Sequence, residues 1–169
     1  MRRVLLLLAA VTAVGGVTSP AWAAKPGPTP VTLDCKVNMD GSWETGETFT
    51  AEVKPNGPLR AAKGPVNLQA PDGTALNLKS SMLRCRRDGG LVPEAGGANI
   101  ADITGNGTFK APGQRAVNVT FQAHVEDRGE TPERNRLDYF AIRVLDVGGN
   151  EIYFNANYLA TGSVRLIPV

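Results

Sequence analysis

The chain reads as an all-β protein, an antiparallel two-sheet sandwich or flattened barrel of about ten short strands. Three observations predict this. Short runs alternate apolar and polar residues with a period of two, as in Val117 to Glu126. Turn dipeptides punctuate the runs: Asp40-Gly41, Asn56-Gly57, Asp72-Gly73, Gly89-Gly90, Asn106-Gly107 and Gly148-Gly149. No window of roughly a dozen residues keeps the 3.6-residue period of an amphipathic helix.

Element by element, the chain opens with Arg2 and Arg3, an apolar run from Val4 to Ala10 that weakens through Val17, and the triplet Ala21-Trp22-Ala23. A basic head, a short apolar stretch and a small-x-small site are the parts of a secretory signal peptide, here residues 1–23. The apolar run is too short for a permanent span, and no other segment predicts a transmembrane helix. Residues 24–30 hold three prolines, Pro26, Pro28 and Pro30, which suit an extended leader. A single all-β domain then spans residues 31–169. Its predicted strands are Val31 to Val37, Thr48 to Lys54, Val66 to Gln69, Ala75 to Leu78, Met82 to Cys85, Ile100 to Ile103, Val117 to Glu126, Asp138 to Asp146, Glu151 to Ala156 and Ser163 to Ile167. Phe140, Ile142 and Val144, then Ile152 with Phe154, then Val164 with Leu166, supply the apolar phases of the last three. The last four strands are expected to pair consecutively in one sheet.

Loss of 23 residues from 169 leaves 146, enough to bury a core. Arg2 and Arg3 leave with them, so 16 basic residues meet 16 acidic ones and the mature chain is formally neutral. With no basic stripe, nucleic acid is not an expected partner. Arg84, Arg86 and Arg87, the one basic cluster, suit a solvated edge. Cys35 and Cys85 are the only thiols, and in an oxidising compartment an even, distant pair predicts one structural disulfide. The expected location is therefore secreted or periplasmic.

Chemistry is sparse. His124, the only histidine, falls on the polar phase of its strand between Gln122 and Glu126. No G-x-S-x-G, H-E-x-x-H or phosphate loop is present, so no catalytic residues are assigned. Asn38 to Gly41 with Glu47 partly matches a calcium loop, but Lys36 stands where a carboxylate is needed, which predicts a hairpin turn instead. Glu126, Asp127, Glu130, Glu133 and Asp138 surround one long loop between paired strands. Hairpin geometry brings Asp127 and Asp138 together, so these two are the candidate metal ligands and calcium is the candidate ion. Arg128, Arg134 and Arg136 in that loop offer a competing reading, a salt-bridged solvated loop. Tyr139 and Tyr153 fall on the polar phases of their strands and, with Trp43 beside a turn, are the candidate ligand-binding aromatics of a small carbohydrate platform.

The C-terminal part also carries a motif series: Gly105 to Phe109, Val119 to Phe121, Val125 to Pro132, Asp138 to Ile142, the Gly148-Gly149 turn and Gly162 to Leu166. It resembles the post-COAP domain family of secreted bacterial proteins over about residues 105–167, with Thr131 inserted before Pro132 and Tyr139 at a usually small polar position. The resemblance implies an extracellular β-rich module and lends no catalytic residues. The expected function is an exported non-enzymatic module that binds an unknown extracellular or envelope ligand. The alternative is a hydrolase or lyase of an extracellular polymer, working with carboxylates of the 126–138 loop and His124.

Overall fold

A computed structural model of the chain describes residues 32–87, 97–129 and 137–169. The signal-peptide and leader segments, Val31, the Gly89-Gly90 turn and residues 130–136 of the acidic loop lie outside the described residues. Among the described residues the secondary structure is all strand, without helix, and no helix is long and apolar enough to cross a membrane. The strands are β1 (Thr32–Leu33), β2 (Cys35–Ser42), β3 (Thr48–Pro55), β4 (Ala62–Lys63), β5 (Pro65–Gln69), β6 (Ala75–Arg86), β7 (Ile100–Lys110), β8 (Val117–Glu126), β9 (Tyr139–Leu145), β10 (Glu151–Tyr158) and β11 (Thr161–Pro168).

All pair antiparallel in a single sheet with the order β10-β9-β8-β7-β6-β5-β3-β2-β11, with β1 against β6 and β4 against β3. The sheet curls into a half-barrel instead of dividing into two sheets. Curling is possible because β6 and β7 run long through its middle and one of them is stripped of side chains there. Gly105 and Gly107 lie opposite Phe121 and Val119 on the concave face. A Cβ on Gly105 would stand 2.0 Å from the Lys79 carbonyl oxygen, and one on Gly107 would stand 2.2 Å from that of Asn77. The two strands therefore approach more closely than any larger residue allows. An irregularity between Ser80 and Met82 adds to the bend.

The concave face holds the core. Trp43 stacks on Phe140 with ring centroids 5.1 Å apart, and Phe49 meets Phe140 edge-on at 4.8 Å. Phe49 is on β3 and Phe140 on β9, strands far apart along the sheet, so this trio is where the curl closes on itself. Each ring is at most 2 % exposed, and burying one such side chain stabilises by about 2–3 kcal/mol. Cys35 and Cys85 form the predicted disulfide, with Cα atoms 6.0 Å apart. It joins β2 to β6, which are not neighbours in the sheet order, and so ties the curl.

Several expectations are corrected. Asp40-Gly41 and Asn106-Gly107 are not turns: they lie inside β2 and β7. Their glycines serve close backbone approach, since a Cβ on Gly41 would meet the Thr161 carbonyl oxygen at 2.4 Å. Ala75 to Leu78 and Met82 to Cys85 are one strand, β6, and Ile100 to Ile103 extends to Lys110. The last four strands do not pair consecutively. β8, β9 and β10 do, but β11 pairs with β2 at the opposite end of the order. Only Leu159 and Ala160 separate β10 from β11. Leu159 donates to the Asp138 carbonyl and Ala160 to that of Ser42, which carries the chain across to β2.

Candidate functional site

Residues paired directly in an antiparallel ladder share a face, so the register assembles the convex side of β6 to β10 into three parallel rows. The first row is Met82, Thr104, Gln122, Arg143 and Phe154. The second is Arg84, Asp102, His124, Ala141 and Ala156, and the third is Arg86, Ile100, Glu126, Tyr139 and Tyr158. Arg84, Arg86, Asp102, His124, Glu126 and Arg143 thus share one surface with the exposed rings of Phe154 and Tyr158.

Across it runs a chain of alternating charge. Arg86 Nη1 lies 3.2 Å from Asp102 Oδ2. His124 Nδ1 is 2.7 Å from Asp102 Oδ1 and its Nε2 is 3.2 Å from Glu126 Oε1. Arg128 Nε donates to Glu126 Oε2 at 2.8 Å, and its Nη2 forms a second, shorter contact with the same oxygen. The Arg128 guanidinium then stands 4.8 Å over the Tyr158 ring, which meets Tyr139 edge-on at 5.4 Å. The hydrogen bond to Asp102 raises the His124 pKa above its ordinary value; partial burial opposes this and the bond to Glu126 assists. Burial alone would raise Asp102 and Glu126, but their bonds to His124 and the neighbouring arginines outweigh it and hold both low. As the imidazolium, His124 donates from both nitrogens and keeps no lone pair for a proton.

Beside this chain is a shallow depression of about 370 Å³, lined among others by Thr104, Gln122, His124, Ala141, Arg143 and Phe154. Ala141, which lines it, is directly paired with Ala156 on β10, so the surface stays low on that side. Phe154 stands at one end, 58 % exposed, and Tyr158 lies beyond the alanines, 45 % exposed.

The two candidate metal ligands have other partners. Asp138 Oδ1 accepts from Arg128 N at 2.9 Å and Oδ2 from Val164 N at 2.7 Å. Asp127 Oδ2 accepts from Leu166 N at 3.0 Å and Oδ1 from Gly129 N at 3.2 Å. The pair does converge, on β11, and all four oxygens accept backbone N–H donors. Among the described residues no group of three or more histidine, cysteine or acidic side chains is placed to hold a metal ion.

Tyr139 and Tyr153 are separated by the sheet. Tyr139 is on the convex face, 6.2 Å from His124 by ring centroids. Tyr153 pairs with Val144 on the concave face, beside Phe109, where burial raises its phenol pKa. The expected inward phase of Ile152 and Phe154 is broken by a bulge between Glu151 and Tyr153, which turns Tyr153 inward and Phe154 out. Trp43 is in the core. Sequence reading therefore missed Phe154, Tyr158, Asp102 and Arg86 as members of the surface. The one legible signal was Asp102 itself, a carboxylate inside the apolar run Ile100 to Ile103.

No protein-family model, curated protein or solved structure matches the chain significantly.

Proposed function

We propose that the chain is an exported, non-catalytic β module that binds an extracellular or cell-envelope ligand on the convex face of β6 to β10. The observation that carries this reading is His124 held between Asp102 and Glu126 with both nitrogens engaged. A general base needs a free lone pair near the working pH, whereas a doubly bonded imidazolium makes a rigid surface held by ion pairs. Export to the periplasm or medium rests on the pattern of residues 1–23 and agrees with the Cys35–Cys85 disulfide.

The test is amide-shift mapping by NMR against peptidoglycan fragments, oligosaccharides, peptides and calcium, with each mixture also assayed for polymer cleavage. Binding should shift amides of Gln122, His124, Ala141, Phe154 and Ala156, with no cleavage. Cleavage abolished by Asp102→Asn or Asp138→Asn would replace this reading with the carboxylate hydrolase or lyase. Shifts confined to the 127–138 corner on adding calcium would restore the metal-site reading.

A further inference from the structure

Resting on that binding face, we infer that its ligand is a neutral, hydroxyl-rich linear glycan lying in the trough between Phe154 and Tyr158. The first argument is shape. Phe154, Ala156 and Tyr158 alternate along β10 on the convex face, and Ala156 is paired with Ala141. Two small residues side by side form a low floor with an exposed ring at each end. Four residues of strand separate the rings by about 13 Å, which is longer than one sugar ring and suits a short oligosaccharide lying along the strand. The weakly polar faces of sugar rings stack on aromatic side chains of this kind.

The second argument is charge. Each ionic group bordering the trough is already paired: Arg143 with Glu151 at 2.7 Å, His124 with Asp102 and Glu126, and Arg128 with Glu126. An anionic or cationic ligand would have to compete with these bonds for its own partner. The uncharged Gln122 amide and Thr104 hydroxyl lie in the depression that adjoins the trough across β9, where they can donate to and accept from hydroxyl groups of an oligosaccharide extending over it without disturbing any ion pair. A neutral polyol is the ligand class that uses what this surface offers.

The experiment is an NMR titration of the purified protein with cellohexaose, hexa-N-acetylchitohexaose and hexagalacturonate. At least one neutral hexaose should move the amides of Ala141, Phe154, Ala156 and Tyr158, and hexagalacturonate should bind more weakly. Phe154→Ala should weaken binding about tenfold or more. Ala156→Leu, which fills the floor, should do the same, while Tyr153→Phe on the concave face should leave affinity unchanged. Phe154 and Ala156 are outside the core, so unchanged melting temperatures will show that the variants fold. Silence with both neutral hexaoses, tighter binding of hexagalacturonate, or affinity indifferent to Phe154→Ala overturns the glycan assignment. If a peptide or other ligand moves the same amides instead, the binding face stands and only the glycan falls; if nothing in the wider panel moves them, both fall.

Discussion

The Val164 backbone N–H donates to Asp138 Oδ2 at 2.7 Å across 26 residues of sequence. Two residues on, Leu166 N–H donates to Asp127 Oδ2. Among the described residues β11 is the last strand of the sheet, and on the side away from β2 its N–H groups face no neighbouring strand. Two carboxylates take that strand's place, which both satisfies the edge and joins the end of β8 and start of β9 to β11. Asp138→Asn leaves one oxygen where two backbone donors now bind, so it should destabilise by about 1–3 kcal/mol. Asp127→Asn should cost a similar amount. Thermal melts check both, and melting of the wild type should be the same in calcium and in chelator.

The charge chain predicts a stability optimum in mildly acidic solution. His124 has a raised folded pKa, so its contribution is fully present below its ordinary value of 6.5 and is lost as pH rises through the folded value. Glu126 and Asp102 have lowered pKa values, so theirs is fully present above their ordinary values of 4.5 and 3.8 and is lost as pH falls through the folded ones. All three are ionised between about pH 4.5 and 6.5. Denaturant midpoints measured across pH should fall on both sides of that window, and His124→Gln should remove the alkaline-side decline while lowering stability at pH 5.5 by about 1 kcal/mol.

Gly105→Ala should be among the most damaging small substitutions. Its Cβ would lie 2.0 Å from the Lys79 carbonyl oxygen and 2.8 Å from Phe121 Cε1. Backbone cannot swing aside as a long side chain can, so a loss above about 3 kcal/mol is expected. Gly73→Ala, at a turn with nothing within 4 Å of the added atom, meets only the strain of its positive φ and should cost about 1 kcal/mol. Urea unfolding of the two variants side by side checks the contrast.

Reduction of Cys35–Cys85 opens a loop with a sequence separation of 50 and should lower stability by about 4 kcal/mol. Thiol titration of the unfolded, unreduced protein should find no free thiol, and two after reduction.

Period-two alternation was enough to make the all-β class legible, because inward and outward positions of one strand are set locally by the pleat. Val117 to Glu126 is the clear case: Val119, Phe121, Ala123 and Val125 are buried as the pattern demands, and only Val117, the first residue of the strand and of the same apolar phase, is exposed. The disulfide was legible too, since two cysteines allow only one intramolecular pairing. What the alternation could not carry was anything depending on which strands become neighbours. β11 fits the apolar phase equally well beside β10 or β2, and only the two-residue crossover and the carboxylates on its free edge decide for β2. Asp127 and Asp138 stand out in the sequence as acids flanking one loop, but their N–H partners on β11 are supplied by that pairing choice. The candidate surface was hidden for the same reason. Asp102 meets His124, and Tyr139 meets Tyr158, only through register, and a single extra residue near Glu151 reverses which of Tyr153 and Phe154 faces solvent. Strand chemistry is written residue by residue, whereas a surface made of five strands exists only once loops, bulges and glycine contacts have set their order and offset.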